Sequence, residues 1–376
     1  MRLKIYADPA HYHPRHRQQL TALMRAHWND LPPEERSKTY GSRYNLFEVV
    51  GDVSEADICV LPMVWQYYVN NHRLEQAYDL ARQAADAGKV IVVWVTGDLY
   101  TTVPLKNAVI FQNSMYRSRR GQCHYASPAF FPDYLPEYFD GRWTYRRKGE
   151  RPVVGFCGQA GTSLCYWAKW TVGYVNQWIR FHIGNSPYEP PPLYPPARLR
   201  ARILGLLEAS PRVADNFIIR QHYWAGVHRA SNVEAARHQA QLEFVNNIYN
   251  SDYTVCVRGT GNYSKRFYET LCLGRIPIFV DTDCVLPYDF AVDWRDYCVW
   301  VDHSEIPYIV EKVADFHAGI TDDDFIGMQQ ACRALWKERL SFDGFYRHLC
   351  EHLQSDSVEM PSGGPEYVTV RRARTI

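Results

Sequence analysis

Residues 250–289 read NSDYTVCVRGTGNYSKRFYETLCLGRIPIFVDTDCVLPYD, and the fold is decided by their pattern. Tyr253 to Val257 is a short β-branched and aromatic run, punctuated by Gly259 and Gly261. Tyr263 to Leu273 carries helical spacing, and Ile276 to Val280 is a second short strand. The segment is a β-loop-α-β unit. Arg258 ends its first strand, and Gly259, Gly261 and Asn262 allow a tight turn before the helix. Free N–H groups, the helix dipole and a guanidinium then converge on a diphosphate. Arg266 and Glu269 lie one turn apart, with Glu269 about two turns past the last loop glycine, where a carboxylate accepts both hydroxyls of a ribose. Singly, each residue has a plainer role: Arg258 capping a strand end, Glu269 pairing with Lys265 or Arg266 on a solvated face. A lone G-x-G is a weak signal. The constellation carries the reading.

The run R-G-x-G-N-Y-S-x-R-F-Y-E-T-L-x-L-G-R-I-P-I-F-V from Arg258 to Val280, followed by L-P-Y-D and then D-W-R-D-Y-C-V-W-V, resembles the donor-binding half of exostosin-type glycosyltransferases. Shorter matches extend it: K-I-Y-A-D-P at 4–9, E-A-D-I-C-V-L-P at 55–62 and G-F-C-G at 155–158. Together with the alternation of strands and helices in two halves, the resemblance implies an α/β chain of two Rossmann-like domains facing across a cleft, the GT-B arrangement. Residues 1–150 are expected to form the acceptor-side domain, 151–340 the nucleotide-sugar domain, and 341–376 a helix and polar tail. The implied reaction moves a sugar from a nucleotide diphosphate donor, UDP-linked, to a hydroxyl of a glycan or glycolipid acceptor with inversion, in polysaccharide or glycoconjugate biosynthesis. The implied donor residues are Gly158, Arg220, Arg258, Gly259, Gly261, Asn262, Tyr263, Ser264, Arg266 and Glu269.

Single-displacement inversion needs a base on the acceptor side and neutralisation of the departing diphosphate. Arg258, the loop N–H groups and Arg266 are expected to take the second task. Asp98, at the end of the apolar run Val90 to Val95, is the candidate base, with His11 beyond the first strand as the alternative. N-capping is the plainer role for Asp98. His13 shares the loop 8–16 with His11 and is placed against substrate. The histidines of this loop have no helical H-x-x-x-H spacing and no second ligand cluster, so a metal is not read there. Tyr223 and Trp224 are expected to stack on a sugar ring, and Arg220 to pair with an anionic substituent. No metal or other cofactor is expected beyond the nucleotide sugar itself.

Two patterns point elsewhere. Asp281-Thr282-Asp283 matches the D-x-D that binds a divalent ion in the other large glycosyltransferase fold, but it falls where the exostosin pattern has a loop. Gly259-x-Gly261 lacks the third glycine of a dinucleotide fingerprint, and no acidic residue is read at the next strand end, which argues against a nicotinamide-dependent oxidoreductase. A non-catalytic glycan-binding or scaffolding relative is the remaining alternative.

With 376 residues, 46% hydrophobic, the chain is long enough for two cores. A net charge of +1 provides no overall attraction to nucleic acid. The opening M-R-L-K-I-Y-A-D-P reads as a strand and not as a signal peptide. The apolar window Leu164 to Ile183 carries Lys169, Asn176, Gln177 and Arg180, so no membrane-spanning helix is expected. Ten scattered cysteines without a C-x-x-C pair fit buried thiols. A cytoplasmic location follows, with peripheral contact at the inner face of a membrane as a variant.

Overall fold

The computed structural model describes residues 2–161, 163–220 and 232–354. It is an α/β structure with two parallel sheets. The first contains β1 Leu3–Tyr6, β2 Phe47–Val49, β3 Ile58–Val60, β4 Ile91–Val95, β5 Ala108–Gln112 and β6 His124–Ala126, in the order β2-β1-β3-β4-β5-β6. The second contains β7 Val153–Gln159, β8 Ala214–Arg220, β9 Tyr253–Cys256, β10 Ile276–Asp281 and β11 Val299–Asp302, in the order β11-β10-β9-β7-β8. These are the two Rossmann-like halves expected.

Strand order reverses once in each sheet. β1 lies between β2 and β3, and β7 lies between β8 and β9. In an open parallel sheet, ligands collect beyond the carboxyl ends of strands at such a reversal. β4, buried along its whole length, is apolar throughout because a central parallel strand is covered on both faces.

The β-loop-α-β unit forms as read, with a helix at Lys265–Cys272 between β9 and β10. Its apolar side is fixed by Phe267, whose ring meets Phe279 at 5.2 Å and Trp294 at 5.3 Å. Elsewhere the structure differs from expectation. β2 is only three residues long, too short for a period-2 signal to show. After the loop 8–16 the helix Ala22–His27 starts where Thr21 caps it by accepting the Met24 N–H, and Pro14–Gln19 forms 3-10 turns.

The division of the chain also differs. One compact unit comprises residues up to Pro128, Gln177–Pro190 and 341–354; the other comprises Ala129–Asn176 and Pro191–Leu340. The boundary expected near 150 moves back because Trp143, Arg146 and Thr144 bond to residues of the second unit. Trp143 donates to the Leu273 carbonyl at 3.1 Å, and Arg146 pairs with buried Asp252 at 2.6 Å. The proline-rich stretch from Ser186 falls inside the 151–340 range expected for the second domain but is pinned at its start to the first. The Thr101 hydroxyl donates to Pro187 O, the Glu189 N–H to Tyr100 O, and the Tyr188 hydroxyl to Asn70. The helix Phe342–Gln354, expected to stand apart, belongs to the first core. Tyr346 packs on Phe47 and Trp94, and Phe345 on Phe111.

Among the described residues no helix is long and apolar enough to cross a membrane. Most cysteines are buried, and burial pushes the Cys59 and Cys256 thiols up to about 11 and about 12.

Candidate functional site

The carboxyl ends of β7 and β9 meet at the reversal of the second sheet, and two arginines tie them together there. Arg266, from the first turn of the Lys265–Cys272 helix, donates to Cys157 O at 2.8 Å and to Val255 O at 3.4 Å. Its guanidinium lies over the Phe156 ring at 4.2 Å, and burial lowers its pKa from the ordinary value. Gly158 makes this approach possible, since a Cβ there would fall 2.7 Å from Arg266 Nη2. Arg200, from the helix Pro196–Glu208, spans the same gap one layer out, donating to Gln159 O at 3.1 Å and Arg258 O at 2.8 Å. Two cations thus saturate strand-end carbonyls that would otherwise repel an anion.

The glycine loop is held from within. Arg258, 7% exposed, donates to Thr260 O at 2.8 Å, Gly259 O at 3.3 Å and Asn262 Oδ1 at 3.3 Å. Asn262, fully buried, donates to Asp283 O at 3.0 Å and accepts from the Thr282 hydroxyl at 2.7 Å. It therefore locks this loop to the one after β10.

Two sequence expectations change here. The Gly259 N–H is not free, because it donates to Tyr263 O at 3.2 Å, and Gly259 needs no left-handed backbone. An acidic residue does end the strand after the loop, Asp281, which the shorter reading of that strand left out. Its Oδ1 accepts the Cys284 N–H at 2.9 Å and so closes the turn. Among the described residues no three His, Cys, Asp or Glu side chains cluster as metal ligands do.

Ser264 is the N-cap residue of the Lys265–Cys272 helix and 8% exposed, yet its hydroxyl makes no capping bond to the helix. The Phe267 N–H of the first turn bonds back to the Ser264 carbonyl at 3.1 Å, so the Lys265 and Arg266 N–H groups are the backbone donors left for an anion. Glu269, expected on a solvated face, is 5% exposed. Its Oε1 accepts from the Tyr134 hydroxyl at 2.8 Å and meets Lys265 Nζ at 3.0 Å. The pairing with Lys265 is the plainer role; the burial is not. Arg220 is held by Glu243 at 2.9 Å and by Ala240 O, so the anionic partner expected of a substrate is supplied by the chain. Tyr223 and Trp224 lie outside the described residues.

The first-unit candidates have separate local partners. His11 is 4% exposed; its Nδ1 is 3.0 Å from the Tyr68 hydroxyl and its Nε2 3.7 Å from Asp8. Burial lowers its pKa, and the Asp8 carboxylate opposes that shift. His13 caps the next turn by accepting the Arg15 N–H at 3.3 Å. Asp98 is exposed just past β4 and caps no helix, while neighbouring Thr96 is fixed by Gln66.

Sequence reasoning missed Arg200 and Tyr134. Arg200 is one of several arginines spaced along a helix, and only the register of that helix selects it. Tyr134 falls in a proline-rich stretch read as irregular, but it lies on a short helix, Tyr134–Tyr138, capped by Asp133.

Comparison with known proteins places the same region. Residues 208–315 match the Exostosin GT47 domain. The chain is 26% identical over 104 residues to Exostosin-1 of Drosophila melanogaster, covering 28% of this chain and 13% of that protein. It is 35% identical over 57 residues to the protein named Probable beta-1,4-xylosyltransferase IRX10L of Arabidopsis thaliana, covering 15% and 14% respectively. The aligned parts are a small fraction of each relative's length. A solved glycosyltransferase from Rickettsia africae ESF-5 overlays 95% of this chain and 100% of its own at 9% identity, with a TM-score of 0.39, too low to bear on the fold.

Proposed function

We propose that this exostosin-type chain, with its GT47 domain at residues 208–315, transfers a sugar from a UDP-linked donor to a hydroxyl of a glycan or glycolipid acceptor with inversion. One observation carries the reading: an uncapped helix start lies beside two arginine-saturated strand ends at the reversal of the second sheet. The Ser264 hydroxyl and the Lys265 and Arg266 N–H groups take the diphosphate, the Phe267 N–H being held by the Ser264 carbonyl. Arg258 keeps their loop in register and offsets the charge that grows on the leaving group. Both observed contacts of Glu269 fall on Oε1, which leaves Oε2 for a ribose hydroxyl. Asp98 is the acceptor-side base in this reading, since its carboxylate is exposed whereas His11 is buried with Nδ1 held by the Tyr68 hydroxyl.

The mechanism needs no metal, because side chains and backbone neutralise the diphosphate. Turnover therefore survives EDTA; loss restored by manganese or magnesium would make Asp281 and Asp283 ligands. The location proposed with it is cytoplasmic, checked by cell fractionation.

A thermal-shift screen over nucleotide sugars tests the reading directly. A ligand at about 100 times its dissociation constant stabilises by roughly 2.7 kcal/mol. UDP-sugars should raise the melting temperature and be hydrolysed or transferred. Binding without turnover would make the chain a non-catalytic relative, and stabilisation by reduced nicotinamide cofactor instead would make it an oxidoreductase.

A further inference from the structure

The helix Leu164–His182 has nineteen residues, most of them apolar or aromatic, and not one of them is buried. Its half-buried row is Tyr166, Trp170, Tyr174, Gln177 and Phe181, at helical spacing. The opposite side is largely apolar as well. Leu164, Ala168, Val172, Val175, Ile179 and Ile183 recur every three or four residues and are all exposed, Leu164 at 76% and Val172 at 70%, with exposed His182 and Asn176 as the polar residues on that side. The stripe runs for about 28 Å. Trp167 and Trp178, both exposed, border it on one edge; Lys169 and Arg180 border it on the other. No aspartate or glutamate occurs anywhere in residues 151–188.

We propose that this helix lies in the surface of an anionic bilayer, with the Leu164–Ile183 stripe among the acyl chains and Lys169 and Arg180 on the lipid headgroups. An exposed apolar stripe of this length is not stable facing water. Exposed tryptophans at its edge match the headgroup boundary, where an indole keeps its ring dry and its N–H wet. Charge selects the occupant. A second copy of the helix would bring the same cations onto a face that also lacks carboxylates, whereas anionic headgroups neutralise them. The helix is too short of apolar residues to cross the membrane, so it lies along the surface. This inference is independent of the donor site, because no residue of that site is on the helix.

The experiment is co-sedimentation of the full chain with vesicles of phosphatidylcholine, with and without phosphatidylglycerol. Binding is expected only with the anionic lipid, weakening as salt rises, with a blue shift of tryptophan emission. Val172→Asp and Ile179→Asp alter exposed positions, so circular dichroism should be unchanged while vesicle affinity falls about tenfold or more each. Lys169→Gln and Arg180→Gln should each cost about fivefold and flatten the salt dependence. Failure of the natural chain to bind anionic vesicles overturns the proposal. So does a dimer in sedimentation velocity that Val172→Asp converts to monomer, since the stripe would then be a self-interface. A loss of cooperative melting in Val172→Asp also overturns it, because the stripe would then be covered by the chain's own residues.

Discussion

Each of the two sheets reverses its strand order once, and the two reversal points are furnished in opposite ways. At β7/β9 the groups are permanent cations, Arg200 and Arg266, each donating to two carbonyls at the strand ends. At β1/β3 they are neutral and titratable: His11, after β1, meets Tyr68, which follows β3, at 3.0 Å. The difference teaches what each crevice suits. The first kind keeps its positive charge at any physiological pH. In the second kind, burial lowers the pKa of His11 and raises that of Tyr68, so both groups are held neutral.

The largest effect should come from Arg258→Ala. Removing one preorganised contact to a developing charge costs about 2.7 to 4 kcal/mol, or roughly 100- to 1,000-fold in kcat. Arg258→Lys should recover part of it, because the charge stays while the fork that reaches Thr260 and Asn262 is lost. A rise in donor KM alone, with kcat kept, would leave Arg258 as a ground-state anchor of its loop.

Acid should separate the two units. In the first, burial lowers the pKa of His11 and His124, and takes His27 from 6.5 to about 4. A histidine depressed in the folded state leaves the unfolded chain to bind the extra proton. Stability is therefore complete above pH 6.5 and falls as pH drops toward 4, by on the order of 3 kcal/mol for His27. Hydrogen exchange at pH 5 should show residues 3–126 opening before residues 153–340. His27→Gln, which can still donate to the Arg43 carbonyl, should flatten the pH dependence. If the second unit opens first, the contrast fails.

Arg266→Met should lower stability by about 1.5 to 3 kcal/mol, because two strand-end carbonyls lose a charged donor. Chemical denaturation measures it. A variant as stable as the parent would remove the structural part of the clamp.

The smallest effect separates two roles of one carboxylate. Tyr134→Phe removes a hydrogen bond to Glu269 and should cost about 1 kcal/mol of stability while leaving UDP affinity unchanged. Glu269→Ala should lower both, as a buried partner and as a ribose ligand. If calorimetry finds UDP binding intact in Glu269→Ala, the ribose role is lost and only the structural one stands.

The contrast between the units also accounts for what sequence made visible. The β-loop-α-β unit was legible because its residues act on near neighbours: Arg258 on Thr260 and Asn262, Lys265 on Glu269. Side chains that act across the sequence were not. Arg200 reaches Arg258, Tyr134 reaches Glu269, and Arg220 is taken by Glu243, each determined by which helix lies over which strand. Local periodicity carries no information on that. The burial of Glu269 is the same lesson: spacing put it one turn from Arg266 without revealing that Tyr134 covers it.

One consequence concerns the order in which the chain is made. The first sheet ends at Ala126, but its core is closed by Tyr346 against Phe47 and Trp94, and by Phe345 against Phe111. On the ribosome those faces emerge early and wait on the order of tens of seconds for the helix that covers them. The second unit ends at Leu340. The half of the chain synthesised first is therefore the last to be finished, and until then its uncovered aromatic face is what a chaperone would meet.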